Sequence, residues 1–224
     1  MAEQSPTKRA RVEIEVPSFT DVDLETFTMK DNGKGTNGHR AFPLVGGEPI
    51  RFNLTSDGWL KTVFGFDITT KFEKPSFLGG KVPENGGSEG LALRVNLEKT
   101  HADFLKQLDE KSQEGFSQLV KNNIWSALVS EETLFGTSST KITVVLKGTG
   151  LTKIAVVADG KVVRGEGWDF LKAYIDAGNT FRHAEIKVVA RIKKLWHVSG
   201  KAGIKLEATQ IVLRTQSFQK TLFN

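Results

Sequence analysis

The chain has 224 residues, 38% hydrophobic and 25% charged, with a net charge of +5 and a pI near 9.3. That length supports one large all-β or mixed domain, or two small ones, and the apolar content argues against disorder of the whole chain. The absence of cysteine excludes disulfides, thiolate metal sites and cysteine nucleophiles, and no apolar run approaches the ~20 residues a membrane-spanning helix needs.

In chain order, residues 1–17 read as a flexible basic tail ending at Pro17. Met1 to Val16 has no apolar stretch of the secretory kind. The cluster Lys8-Arg9-Ala10-Arg11 has the form of a nuclear localisation signal. Phe19, Leu24 and Phe27 begin the apolar pattern, and Lys30 to Gly38 reads as turn chemistry throughout. Ile50, Phe52 and Leu54 alternate with polar residues, as do Leu91, Leu93, Val95 and Leu97, so both segments are predicted strands. Trp59 to Phe66 lies between them as an aromatic-rich segment. Phe104, Leu105, Leu108, Phe116, Leu119 and Val120 fall at helical spacing and predict a helix over about 100–122. Thr100 is its expected cap, with Asp103 three residues on. Ile142, Val144 and Leu146 predict a further strand, and Asp159-Gly160 a hairpin between 154–157 and 161–163. A short helix follows over Asp169 to Asp176. Two long strands, Phe181 to His197 and Ile204 to Arg214, close the chain around a Val198–Gly203 loop.

Charge is distributed unevenly. Residues 141–224 carry 15 Lys and Arg against 6 Asp and Glu, while residues 1–140 carry 16 against 20. A basic last third attracts polyanions such as nucleic acid, though a solvated lysine-rich face has the same composition. In the strand Phe181 to His197, the apolar Ile186, Val188, Ala190 and Ile192 alternate with Lys187, Val189, Arg191 and Lys193. One face can fill a barrel, and the other offers cations to backbone phosphates. Lys194, Lys201 and Lys205 extend that patch. Single strands also expose base faces, and stacking on an aromatic ring is worth about 1–3 kcal/mol per base. The aromatic candidates near basic residues are Trp196, Phe181, Trp59 and Phe64, with Lys61 two residues from Trp59. Trp196 shares strand parity with Ile192, which points it inward.

Nothing in the spacing points to catalysis. His39, His101, His183 and His197 form no metal pattern, and no nucleophile elbow or phosphate loop is present. Asp103, Asp109, Glu131 and Glu132 read as solvated carboxylates. A non-enzymatic chain without cofactor or metal is expected.

Three segments carry a resemblance: Gly58-Trp59-Leu60-Lys61-Thr62-Val63-Phe64-Gly65, Phe104-Leu105-Lys106-Gln107-Leu108-Asp109, and Leu195 to Ile204 with Gln210-Ile211-Val212. In this order they resemble the single-stranded DNA-binding protein family of nucleocytoplasmic large DNA viruses, of the African swine fever virus type. The resemblance covers patches within 50–214. It implies an OB-fold barrel that binds single strands with little sequence preference during viral DNA replication, recombination or repair. It extends to Trp59, Lys61, Phe64, Trp196 and Lys201, while His197 departs from the expected aromatic.

The expected fold is mainly β (α+β), an OB-fold-like β-barrel with one long and one short helix. Residues 18–216 would form a single nucleic-acid-binding domain with an inserted helix, and 217–224 an amphipathic C-terminal tail able to dock on a neighbouring subunit. The expected partner is single-stranded DNA, with RNA left open and no membrane. The expected location is the host nucleus or a viral replication factory, with the cytoplasm as an alternative. The alternative function is a viral nucleocapsid or virion protein that coats nucleic acid. Genome-packaging arms, however, are usually longer and more basic than Lys8, Arg9 and Arg11.

Overall fold

The computed structural model describes residues 16–35, 38–55, 58–62, 90–121, 123–132, 136–158, 161–176 and 184–214. The strands are β1 (Phe27–Gly35), β2 (Gly38–Val45), β3 (Glu48–Pro49), β4 (Arg51–Asn53), β5 (Leu60–Lys61), β6 (Gly90–Leu97), β7 (Ile124–Trp125), β8 (Val129–Glu132), β9 (Thr137–Val145), β10 (Lys153–Ala158), β11 (Lys161–Glu166), β12 (Glu185–Val198) and β13 (Lys201–Arg214). Helix α1 (Lys99–Leu119) separates β6 from β7, and α2 (Gly167–Asp176) follows β11. The described chain is therefore mostly β with two helices.

The hairpin of β12 and β13 is the spine. Ile186, Val188, Ala190 and Ile192 are each no more than 1% exposed, and they face Leu213, Ile211, Ala208 and Leu206 across the pair. The predicted loop at 198–203 shrinks to Ser199-Gly200. Both residues have positive φ, 51° and 74°, the two-residue turn whose twist matches that of the flanking strands. Lys201 to Gly203 can then extend and bury Ala202.

The far edge of β13 is taken in turn by β7, β9 and β10, all parallel to it. The far edge of β12 is taken by β4 and β5. β9 also pairs β6 along its whole length and β8 near its start. An isolated bridge, Thr62 to Val95, joins the residue after β5 to β6. β10 and β11 form the hairpin predicted around Asp159-Gly160.

A second sheet, β1-β2-β3, carries strand through Lys30–Gly35, which the sequence read as turn. Gly and Asn there report local turn preference, but cross-strand pairing runs from Phe27↔Val45 to Gly35↔Gly38, with a register shift between Asp31 and Lys34. This sheet packs on α1 at Gly115, where an added Cβ would lie 3.1 Å from the Met29 Cβ. That glycine costs helix propensity but lets β1 approach the helix.

Helix α1 buries Leu105, Leu108, Ser112 and Phe116 toward the sheet. Burying each large apolar side chain contributes about 1.5–3 kcal/mol. Glu98, not Thr100, is the N-cap residue, and it makes no side-chain cap bond. Buried His101 and Ala102 pack the first turn of the helix against the body of the protein. Asp109 is not solvated as predicted. It is 8% exposed, and its carboxylate accepts from Trp125 Nε1–H at 3.0 Å and Leu128 N–H at 3.1 Å. Burial pushes its pKa up, and the two donors oppose that shift. Glu131 pairs with Lys106 at the surface.

His101 is buried against Phe19, ring centroids 4.6 Å apart. Burial lowers its pKa, with Glu98 opposing. The unfolded chain therefore takes up a proton that the fold resists as pH falls through about 6.5. Stability contributed by neutral His101 should be present above that pH and decline below it. Urea midpoints at pH 7.5 and 5.5, compared with those of His101→Phe, isolate this effect from Asp109, whose raised carboxyl acts in the opposite sense. An equal slope in the variant would refute it.

Candidate nucleic-acid interface

Strand parity sorts the predicted residues. On β12, Lys187, Val189 and Arg191 are half-buried on the face opposite the core, as the alternation required. Pairing adds neighbours to that outer face. Leu60 is buried opposite Ile186, which leaves exposed Lys61 beside Glu185. Phe52 is buried opposite Ala190, which leaves exposed Arg51 beside Arg191. On β13, exposed Lys201 and Lys205 face the same way.

Trp59 sits at one end of this face, half-buried. The Arg214 guanidinium carbon is 4.4 Å and Lys187 Nζ 5.2 Å from its ring centroid. Each such cation–π contact is worth about 0.5–1 kcal/mol at an exposed site. Arg214 is held in turn by Glu185, its Nε donating at 2.6 Å. Sequence reasoning brought Trp59, Lys61 and Lys187 into one list but missed Arg214 and Arg51. Their place depends on pairing register, and the only sequence signals were a cation at the end of the strand predicted to Arg214 and one between Ile50 and Phe52.

Arg191 is differently engaged. Its Nε and a terminal nitrogen donate to Glu207 at 3.3 and 3.2 Å. Its guanidinium also abuts Gly150, where an added Cβ would lie 2.9 Å away. Part of its charge is thus neutralised within the protein, and it braces the loop before β10.

Trp196 corrects the parity argument. The pairing shifts between Ile192 and Leu195, so Lys193 and Lys194 together oppose the single Lys205. Such a bulge inverts the alternation beyond it. Leu195 turns inward at 2% exposure, and half-buried Trp196 takes the outer parity opposite Gly203. Its six-membered ring lies over that glycine, where an added Cβ would be 3.0 Å from Cζ2. His197 instead meets the Phe116 ring at 5.5 Å. The outer face thus has an indole near each end, at most about 30 Å apart at roughly 3.3 Å per residue.

Phe64, Phe181, Lys8, Arg9 and Arg11 lie outside the described residues, as do the side chains of Lys193 and Lys194. Among the described residues no group of three or more His, Asp or Glu gathers to hold a metal.

No protein-family model and no curated protein matches the chain. Among solved structures, it is similar to gp2.5, a single-stranded DNA-binding protein encoded by bacteriophage T7, at 13% identity and a TM-score of 0.38, over 74% of this chain and 86% of that one. It is also similar to the single-stranded DNA-binding protein of bacteriophage Enc34, solved in complex with single-stranded DNA, at 12% identity and a TM-score of 0.41, over 85% of this chain and 96% of that one.

Proposed function

We propose that the chain binds single-stranded DNA on the outer face of β12 and β13, without sequence preference and without catalysis. The observation that carries this is Trp59 beside Lys187, with Arg214, itself paired to Glu185, over its ring. A ring for a base and cations for its flanking phosphates are the two elements that single-strand recognition combines, and neither reads base identity. Trp196, Lys201 and Lys205 continue the face toward the β12–β13 turn.

The pairings support a five-stranded barrel of the OB type. β12 pairs β13, β13 pairs β9, β9 pairs β6, Val95 of β6 bridges Thr62, and β5, just before Thr62, pairs β12. The viral role in replication, recombination or repair rests on the sequence resemblance alone.

Fluorescence anisotropy with matched single-stranded DNA, single-stranded RNA and duplex, each at two salt concentrations, tests the reading. Single-stranded DNA should bind tightest, and its affinity should fall steeply with salt. Equal or better affinity for the duplex would overturn it.

A further inference from the structure

The β1–β2 ribbon presents a second basic and aromatic face. From Phe27 to Val45 the sequence holds Lys30, Lys34 and Arg40 against one acid, Asp31. Asp31 is used locally, accepting from Gly33 N–H at 2.7 Å. Ala41 and Pro43 are buried, and Met29 lies against Gly115 of α1, so this parity faces the body of the protein. The opposite parity carries Thr28, Lys30, Arg40, Phe42 and Leu44. Lys30 is directly opposite Phe42, and Arg40 is two residues before it on the same face. Lys30 and Arg40 are exposed, Phe42 is half-buried, and neither cation has an ion-pair partner among the described residues.

The ribbon is also continuous with the proposed interface. β2 lies against β12, and the chain passes from β2 through β3 to Ile50, whose carbonyl accepts from Ile192 N–H at 3.0 Å. The ribbon is thus a neighbour of β12 in space.

We propose that Phe42, Lys30 and Arg40 form a separate contact for single-stranded nucleic acid, the ring stacking a base and the two cations meeting flanking phosphates. The inference rests on the single-strand reading above and extends the binding site beyond the β12–β13 face. A buried polar network is not involved, so the site can be altered at the surface without disturbing the core.

The test uses the full chain and oligothymidylate of about 8 and about 30 nucleotides, since one OB fold occupies roughly 4–16. Lys30→Ala with Arg40→Ala should leave affinity for the short oligonucleotide unchanged. It should weaken the long one about tenfold and reduce its salt slope by roughly 1.4, two single-strand phosphate contacts at about 0.7 each. Phe42→Leu, which keeps apolar bulk and removes the ring, should weaken the long oligonucleotide alone by about fivefold or more. Unchanged long-oligonucleotide affinity and slope in all variants would overturn this inference and leave the β12–β13 reading standing. Equal loss on both lengths would overturn it too, by merging these residues with the Trp59 site. Failure of the unaltered protein to prefer single strands over duplex would overturn both.

Discussion

Trp59→Ala is expected to weaken single-stranded DNA binding by about 10- to 100-fold, the largest loss for any single side chain on the outer face. Loss of one base stack accounts for about 1–3 kcal/mol. The indole also lies beside Lys187 and Arg214, whose charges are 5.2 and 4.4 Å from its centroid, so its removal releases Lys187 from its pre-set position while Arg214 stays paired with Glu185. Trp59→Phe, which keeps a smaller platform, should recover much of the affinity. Lys187→Ala should lower the salt slope by about 0.7, one single-strand phosphate contact. Arg191→Ala should leave the slope nearly unchanged, because its guanidinium is committed to Glu207 and to the loop at Gly150. Anisotropy titrations across a salt series read all of these. Wild-type affinity in Trp59→Ala would remove Trp59 from the interface. A slope loss in Arg191→Ala equal to that in Lys187→Ala would show that Glu207 yields Arg191 to phosphate.

The second large effect concerns stability. Asp109→Ala should destabilise the protein by about 3 kcal/mol, because it leaves the Trp125 indole N–H and the Leu128 amide without their acceptor, at about 1–3 kcal/mol per buried orphan. Both donors belong to the segment that follows α1, where β7 adds to the β13 edge, so the loss should reach the sheet as well as the helix. Asp109→Asn should cost less, since its carbonyl can still accept one bond while its amide must face the other donor. Trp125→Phe combined with Asp109→Ala should cost less than the sum of the two, since they share one bond. Urea midpoints measure each step. An Asp109→Ala midpoint indistinguishable from wild type would mean that water replaces the carboxylate at no cost.

Both expectations show where the sequence was legible. The outer parity of Lys187 and Arg191 followed from a strict two-residue alternation, a property of the strand itself. The hairpin at Asp159-Gly160 and the apolar stripe of α1 were equally local signals. Asp109 was not legible, because a carboxylate on an amphipathic helix looks solvated until the segment that buries it is known. The β1–β2 ribbon was hidden for the converse reason. Its Gly and Asn residues signal turns locally, and only pairing between Phe27–Gly35 and Gly38–Val45 makes them strand.

The candidate site divides in the same way. The sequence by itself determined a mostly β chain with two helices, a basic last third, and a strand with one apolar and one cationic face. These depend on composition and on periods of 2 and 3.6 residues, which neighbouring positions fix. Only the tertiary structure set Arg214 over Trp59, tied Arg191 to Glu207 and turned Trp196 outward. Each of those depends on the register between strands distant in sequence, and the bulge of Lys193 and Lys194 opposite Lys205 reverses every side chain beyond it. A bulge is a property of two strands together, so one strand's alternation cannot reveal it.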